Sequence, residues 1–324
     1  MGMLFEGKWI DEDRRQIDAK GNFIRAESAF RDRISSDASS RFPAEKGRYH
    51  LFVAHSCPWA HRTIIVRRMK GLEGAISMTT SDLPRVRSWA YTVGLDEMQP
   101  ENGVFEIQAA YVAAKPDYTG RVTVPVLWDR KQKTIVNNES PEIIRMLNTE
   151  MNALSDDPAA AAIDLYPRAL RAEIDSVNTR VYETVNNGVY RCGFAKSQEA
   201  YEEAFHNLFA SIDWLEERLS RQRFIAGKRL TEADVRLYTT LIRFDSVYYS
   251  HFKCNLRRIE DYPNLSNYLR ELYQTRGFGD TTDLPAIKRN YYGGMLHINP
   301  TGIVPVGPAI DYRRPHDRGR FPAG

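Results

Sequence analysis

The chain has 324 residues, 42% of them hydrophobic and 27% charged, which is ordinary for a globular protein and enough for two domains with substantial cores. A net charge of +3 is too small to point to nucleic acid, and no apolar run approaches the length of a membrane span. The three cysteines, Cys57, Cys192 and Cys254, are odd in number, far apart and without metal-ligand spacing, which excludes a disulfide scaffold and a zinc site and favours a reducing compartment. The first residues lack the cationic and apolar blocks of a signal peptide, so a cytoplasmic protein is expected, with neither nucleic acid nor membrane as partner.

In chain order, residues 1–45 are polar and charge-rich, with Trp9, Phe23 and Phe30 as scattered anchors, and read as an extended N-terminal arm. From 46 to 155, strand-like and helical runs alternate. Residues 50–54 read as a buried strand, 61–70 as a helix, 122–128 as a strand containing Pro125, and 134–136 as another strand. Residues 142–147 then read as a helix, with Ser140 as N-cap and Pro141 as first residue. Such interleaving predicts an α/β domain. From 156 to 290 the pattern is helical throughout, with apolar spacing over 163–189 and 198–219 and a capping box formed by Thr231 and Asp234. Residues 291–324, rich in Gly and Pro, read as a coil extension.

Cys57-Pro58-Trp59-Ala60 stands between the first strand and its helix. At such a turn the backbone N–H groups and the positive end of the helix dipole favour thiolate over thiol, and Pro58 suits the first helical position. Ala60 occupies the place of a second cysteine, so no C-x-x-C disulfide can form there, and a reacting Cys57 must meet an outside thiol, most simply glutathione. The other reading of such a cysteine is a small buried hydrophobe. Proline within an apolar strand predicts either an edge strand or a cis Val124–Pro125 bond, and the cis form would expose the Val124 backbone to antiparallel pairing with a peptide-like ligand. Glu139-Ser140 at a helix start offers N–H groups and a hydroxyl to a carboxylate, and Glu139 can hold an ammonium. Carboxylate and ammonium together are the amino-acid end of a γ-glutamyl group, so the three segments jointly describe a glutathione site.

With these motifs in this order, residues 46–290 resemble the cysteine-type glutathione transferases, and more closely the xi class, the glutathionyl-hydroquinone reductases. The resemblance rests on Cys57-Pro58-Trp59-Ala60-His61-Arg62, the Trp89 region, Gly120-Arg121-Val122-Thr123-Val124-Pro125-Val126-Leu127-Trp128-Asp129 and Asn138-Glu139-Ser140. It extends to Phe244-Asp245-Ser246-Val247-Tyr248-Tyr249, His251-Phe252-Lys253-Cys254-Asn255 and Asn299-Pro300-Thr301-Gly302-Ile303-Val304-Pro305. The long arm and the C-terminal coil fit that class too.

The resemblance implies a thioredoxin-like α/β domain followed by an all-α domain. It also implies reduction of glutathionyl-hydroquinones through a Cys57–glutathione mixed disulfide that a second glutathione resolves. Glutathione would be co-substrate, no metal would take part, and the protein would be a homodimer. Trp89, Val124, Glu139 and Ser140 match positions that bind glutathione in the family. Arg121 is the candidate for the glycine carboxylate, although Thr123 stands where some members carry a basic residue. Tyr190 and Tyr291 fall in segments resembling the hydroquinone pocket, with Tyr292 the neighbouring alternative to Tyr291. The structural alternatives are a core aromatic for Trp89 and simple packing for Tyr190. Of Tyr248 and Tyr249, adjacent on a helix, at most one can face a pocket. His251 reads as an ordinary polar residue, and Cys192 and Cys254 as buried and inert. The competing functions are an omega-like thioltransferase or dehydroascorbate reductase, a non-catalytic dimerisation module, and a ligand carrier.

Overall fold

The computed structural model describes residues 2–12, 16–24, 27–81, 87–92 and 104–322; the remaining positions of the predicted arm and coil lie outside them. The chain divides into two compact units, Met1–Arg14 with Glu27–Ile163, and Arg15–Ala26 with Asp164–Gly324. The arm is therefore not one extended strap. Strands β1 (Met3–Phe5) and β2 (Lys8–Ile10) form a hairpin of the first unit, and β3 (Gln16–Ile17) and β4 (Phe23–Ile24) a hairpin of the second. The first turns on Glu6 and Gly7, both at positive φ, as a two-residue hairpin loop requires. Without an Asn-Gly or Asp-Gly pair, the sequence does not announce it. In the second hairpin the Asp18 carboxylate accepts from the N–H groups of Lys20 (2.9 Å) and Asn22 (2.8 Å).

The first unit continues with β5 (Tyr49–Val53), α1 (Pro58–Met69), β6 (Ile76–Thr80), β7 (Ala90–Tyr91), β8 (Phe105–Glu106), α2 (Gln108–Ala114), β9 (Val126–Asp129), β10 (Thr134–Asn137), α3 (Ser140–Thr149) and α4 (Pro158–Ala161). Its sheet has the order β10-β9-β5-β6, with β5 parallel to β6 and the other pairs antiparallel. Every residue of β5 is buried, as a central strand covered on both faces requires, and Leu51 stands opposite Met78 on one side and Leu127 on the other. Strand β6 escaped the sequence reading because Ile-Ser-Met-Thr-Thr is mostly polar, and only Ile76 of it is buried.

Two expectations need correction. The strand predicted over 122–128 begins only at Val126, so Pro125 precedes it rather than interrupting it, and a residue with no N–H is kept out of the ladder. Ser140 is not the N-cap of α3: Glu139 holds that position in extended backbone, and Ser140 and Pro141 form the first turn.

The second unit is helical: α5 (Arg171–Val181), a π-helical turn over Tyr182–Asn186, α6 (Gly188–Phe194), α7 (Gln198–Leu219), α8 (Glu232–Arg243), a second π-helical turn over Phe244–Tyr248, α9 (Tyr249–His251), α10 (Pro263–Tyr273) and α11 (Leu284–Gly294). Helix α7 has the predicted bounds; Ser197 caps it by accepting from Ala200 N–H at 3.1 Å, and Ala204, Leu208, Ile212, Leu215 and Leu219 line its buried face. The coil predicted from 291 starts four residues later, because Asp283 caps α11 and the helix runs on through Tyr291 and Tyr292 to the glycine pair. Arg318, fully buried, then ties the coil down by donating to the carbonyls of Leu219 and Arg223, both at 2.7 Å. Among the described residues, no helix is long and apolar enough to cross a membrane.

Candidate active site

Cys57 is the N-cap of α1, in extended backbone, with Pro58 in the first turn behind it. Its N–H donates to the Ala54 carbonyl at 3.0 Å, and its own carbonyl accepts from His61 N–H at 2.9 Å. Cys57 is 8% exposed, and its thiol donates to the Val124 carbonyl at 3.4 Å, so the cysteine and the backbone before Pro125 meet. The Val124–Pro125 bond is cis. Arg62, buried on α1, lies over the Trp59 ring at 4.6 Å and donates to Ser140 Oγ at 3.5 Å, joining the cysteine's helix to the start of α3.

Glu139 is half-buried beside the buried Ser140. Its carboxylate accepts from Ser28 Oγ at 2.8 Å, and its N–H donates to Asn137 Oδ1 at 2.7 Å. One turn on, burial alone would raise Glu142, but hydrogen bonds from Arg31 and Asn137 outweigh it and hold that carboxyl below the usual range. Arg121 is half-buried, and its carbonyl accepts from Tyr118 OH at 2.9 Å. The preceding Gly120 has φ +152°, and a Cβ there would come within 2.8 Å of the Tyr118 hydroxyl oxygen, so this turn requires glycine. Trp89 is buried just before β7, its carbonyl accepting from Ile107 N–H at 2.9 Å.

The second unit gathers tyrosine hydroxyls. Tyr291 on α11 lies 2.5 Å from the hydroxyl of Tyr190 on α6 and 3.0 Å from that of Tyr248, at the end of the second π-helical turn. Phe252 packs against all three rings at 5.4–5.8 Å. Tyr292 turns the other way, its hydroxyl meeting Ser250 and the Ser246 carbonyl, so Tyr291 is the member of the cluster. Tyr248 is fully buried and Tyr249 is not, and of the two it is Tyr248 whose hydroxyl meets Tyr291. Burial pushes the Tyr248 phenol well above its ordinary value. The two π-helical turns sit just before Tyr190 and at Tyr248; each inserts a residue and re-aims the side chains around it, which helical periodicity alone does not foretell.

His251 is buried beside this cluster with its Nε2 unpartnered, and burial, reinforced by His297 and Lys253, lowers it to about 4. Cys192 and Cys254 are buried, and burial together with the neighbouring Cys192 raises the Cys254 thiol far above the reactive range. Sequence reasoning took Phe30 only as an anchor of the arm and did not single out Ser28 or Tyr111; all three reach the Val124 and Glu139 segments through partners distant in the chain, so no local signal marks them for the site.

Residues 56–150 match the family model for the glutathione S-transferase N-terminal domain, and residues 198–271 that for the C-terminal domain. The chain is 49% identical to the glutathionyl-hydroquinone reductase PcpF of Sphingobium chlorophenolicum over 312 residues, 95% of this chain and 97% of that one. The glutathione-bound structure of YqjG from Escherichia coli K-12 superposes with a TM-score of 0.86 at 44% identity, over 99% of this chain and 100% of that one. The xi class transferase of Natrialba magadii gives 0.88 at 41% identity, over 100% and 98%. The chain belongs to the glutathione transferase family and, within it, to the xi class of glutathionyl-hydroquinone reductases.

Proposed function

We propose that this chain reduces glutathionyl-hydroquinones to hydroquinones at the expense of glutathione, with Cys57 as nucleophile. The contact that carries this reading is Cys57 Sγ against the Val124 carbonyl: a thiol at a helix N-terminus adjoins a backbone segment able to pair with a peptide thiol. Trp89, Arg121, Val124, Glu139 and Ser140 are the proposed glutathione residues. Glu139 would take the γ-glutamyl ammonium, and Ser140 with the first turn of α3 the α-carboxylate. Arg121 would take the glycine carboxylate.

The Cys57 thiolate attacks the sulfur of the aryl thioether. A sulfur–sulfur bond forms, the aryl carbon–sulfur bond breaks, and the departing electron pair and a proton go to the ring carbon. Tyr190 and Tyr291 are the proposed proton sources, and a shared hydroxyl cluster suits that role because one phenol can be replenished by the next. Glutathione thiolate then attacks the mixed disulfide, releasing oxidised glutathione and restoring Cys57. The ring carbon is reduced and two glutathione sulfurs are oxidised, so no other reductant is needed. With Ala60 in the place of a resolving cysteine, no thiol at that turn competes with glutathione. A homodimer in the cytoplasm completes the proposal; the assembly state is checked by light scattering.

Turnover of glutathionyl-menadiol with glutathione, wild type against Cys57→Ser, tests the reading. Release of menadiol and oxidised glutathione is expected from wild type, falling below about a thousandth in the variant with unchanged circular dichroism. Activity confined to mixed disulfides or dehydroascorbate would transfer the protein to the omega-like reading, and full activity in the variant would remove Cys57 from the mechanism.

A further inference from the structure

Apart from Trp89, the proposed glutathione residues of the first unit lie on two separate segments, one ending at Val124 and one beginning at Glu139. Neither segment is regular: Thr123 and Val124 precede β9, and Asn138 and Glu139 lie between β10 and α3. A ligand whose peptide middle pairs with Val124 and whose amino-acid end reaches Glu139 needs the two held at a fixed separation. Loops without ladder bonds do not supply this by themselves.

One hydroxyl joins them. Tyr111 on α2 is fully buried, and its hydroxyl donates to the Thr123 carbonyl at 2.9 Å while accepting from Thr123 N–H at 3.1 Å and from Asn138 Nδ2 at 3.0 Å. One donor and two acceptor positions are the whole capacity of a phenol, so the group is saturated. Asn138 then passes the link on: its Oδ1 and its N–H meet the N–H and carbonyl of Phe30, each at 3.1 Å. The Phe30 ring packs edge-on to Tyr111 at 5.6 Å and stacks on Tyr118 at 5.8 Å, and Tyr118 in turn holds the Arg121 carbonyl. Two residues before Phe30, Ser28 reaches Glu139 itself.

We propose that Tyr111 is a positioning residue for glutathione: its hydroxyl locks the Val124 segment to the Glu139 segment and so sets the spacing between the sites for the cysteinyl and γ-glutamyl parts. The proposal rests on the glutathione site argued above. Burial pushes the Tyr111 phenol above its ordinary value, so at neutral pH it keeps the proton it donates to the Thr123 carbonyl. Thr123, Tyr111, Asn138 and Phe30 form a continuous hydrogen-bonded chain.

The test is a double-mutant cycle on glutathione affinity, read by calorimetry, between Tyr111→Phe and Glu139→Ala. In the wild-type background Glu139→Ala is expected to weaken binding by about tenfold or more, and Tyr111→Phe by a similar factor, the worth of one or two net hydrogen bonds. Together they should weaken it by clearly less than the product, because a γ-glutamyl group that is no longer held at the right distance gains little from Glu139. Strictly multiplicative effects would overturn the positioning role and leave Tyr111 a packing residue. A wild-type protein whose affinity ignores Glu139→Ala would instead overturn the site reading on which the proposal stands. Should Tyr111→Phe not fold, Asn138→Ala cuts the same link from the other end and enters the cycle in its place, with the same two readings.

Discussion

The two units of this chain assemble their share of the chemistry in different ways. In the first, apart from Trp89 and Arg121, the candidate groups are set by turns: the Cys57 cap of α1, the Val124 carbonyl just before β9, and Glu139 and Ser140 at the start of α3. Their positions follow from local turns, and a second layer of hydrogen bonds from Tyr111, Tyr118 and the arm fixes them. In the second unit the candidate groups are the tips of long side chains on α6, α11 and the turn after α8, and ring packing around Phe252 aligns them. A site made of turns can be read from short motifs. A site made of side-chain tips depends on how whole helices pack.

The sharpest way to break this comparison is to remove one hydroxyl from the cluster. Tyr291 bonds both of its neighbours, so Tyr291→Phe is expected to cut turnover of glutathionyl-menadiol by roughly 10²-fold while leaving glutathione affinity unchanged. Tyr292→Phe, one residue away but bonded to Ser250 and the Ser246 carbonyl, should cost turnover less than about threefold, since it loses only ordinary hydrogen bonds. Steady-state kinetics on the pair decides it. Equal losses would mean that the cluster supports α11 rather than the chemistry.

A second contrast lies within the second unit, between residues that stand in the cluster and one that only holds the helices. The Asp234 carboxylate, fully buried, accepts from Ile225 N–H (2.9 Å), Thr231 N–H (2.8 Å), Thr231 Oγ (3.0 Å) and Tyr268 OH (2.7 Å). Asp234→Ala would leave buried donors without an acceptor and is expected to cost about 3–5 kcal/mol of stability. Measured by urea unfolding with turnover of the surviving folded protein near normal, that result would separate scaffold from site. A loss under about 1 kcal/mol would show that other groups or water take over the four bonds.

How much of this was legible in the sequence follows the same division. Cys57-Pro58 announced a strand-to-helix turn because proline and the preceding apolar run are both local signals. The Thr231–Asp234 box was legible for the same reason. Even there, Pro125 misled about where β9 starts, since apolar composition alone extends a strand up to a residue that cannot join the ladder. Ser140 looked like the better cap by residue type, yet backbone conformation gave that place to Glu139. Tyr190 and Tyr291 came only from family resemblance, and Tyr248 could not be chosen over Tyr249, because π-helical turns shift the facing of side chains without a compositional mark. Tyr111 was invisible: its partners, Thr123 and Asn138, become neighbours only when the sheet has formed.

The smallest expected effect sharpens the comparison through acid. In the first unit His50 is buried, its Nδ1 against Ser77 Oγ at 2.7 Å and its Nε2 unpartnered, and burial, with Arg130 and Arg67 adding to it, lowers it from 6.5 to about 3. Between pH 6.5 and 3 the unfolded chain therefore binds a proton that the folded unit does not, and stability falls as pH falls. Glu142, held below the usual range, acts in the same direction at lower pH. In the second unit His251, at about 4, also loses stability as pH falls below 6.5, but Asp245 opposes it. Burial raises Asp245 from 3.8 to about 6 despite bonds from Ile259 and Glu260 N–H, so between those values the folded unit holds the extra proton and stability rises as pH falls. Buried Asp234, raised as well, adds to that side. Acidification from pH 6.5 to 4 should therefore loosen the first unit while the second stays nearly level. Hydrogen exchange, corrected for the intrinsic pH dependence of the rates, should show β5 amides losing protection before those of α8 and α10. Loss of protection in α8 first, or in both together, would mean that the buried carboxylates of the second unit do not offset its histidine.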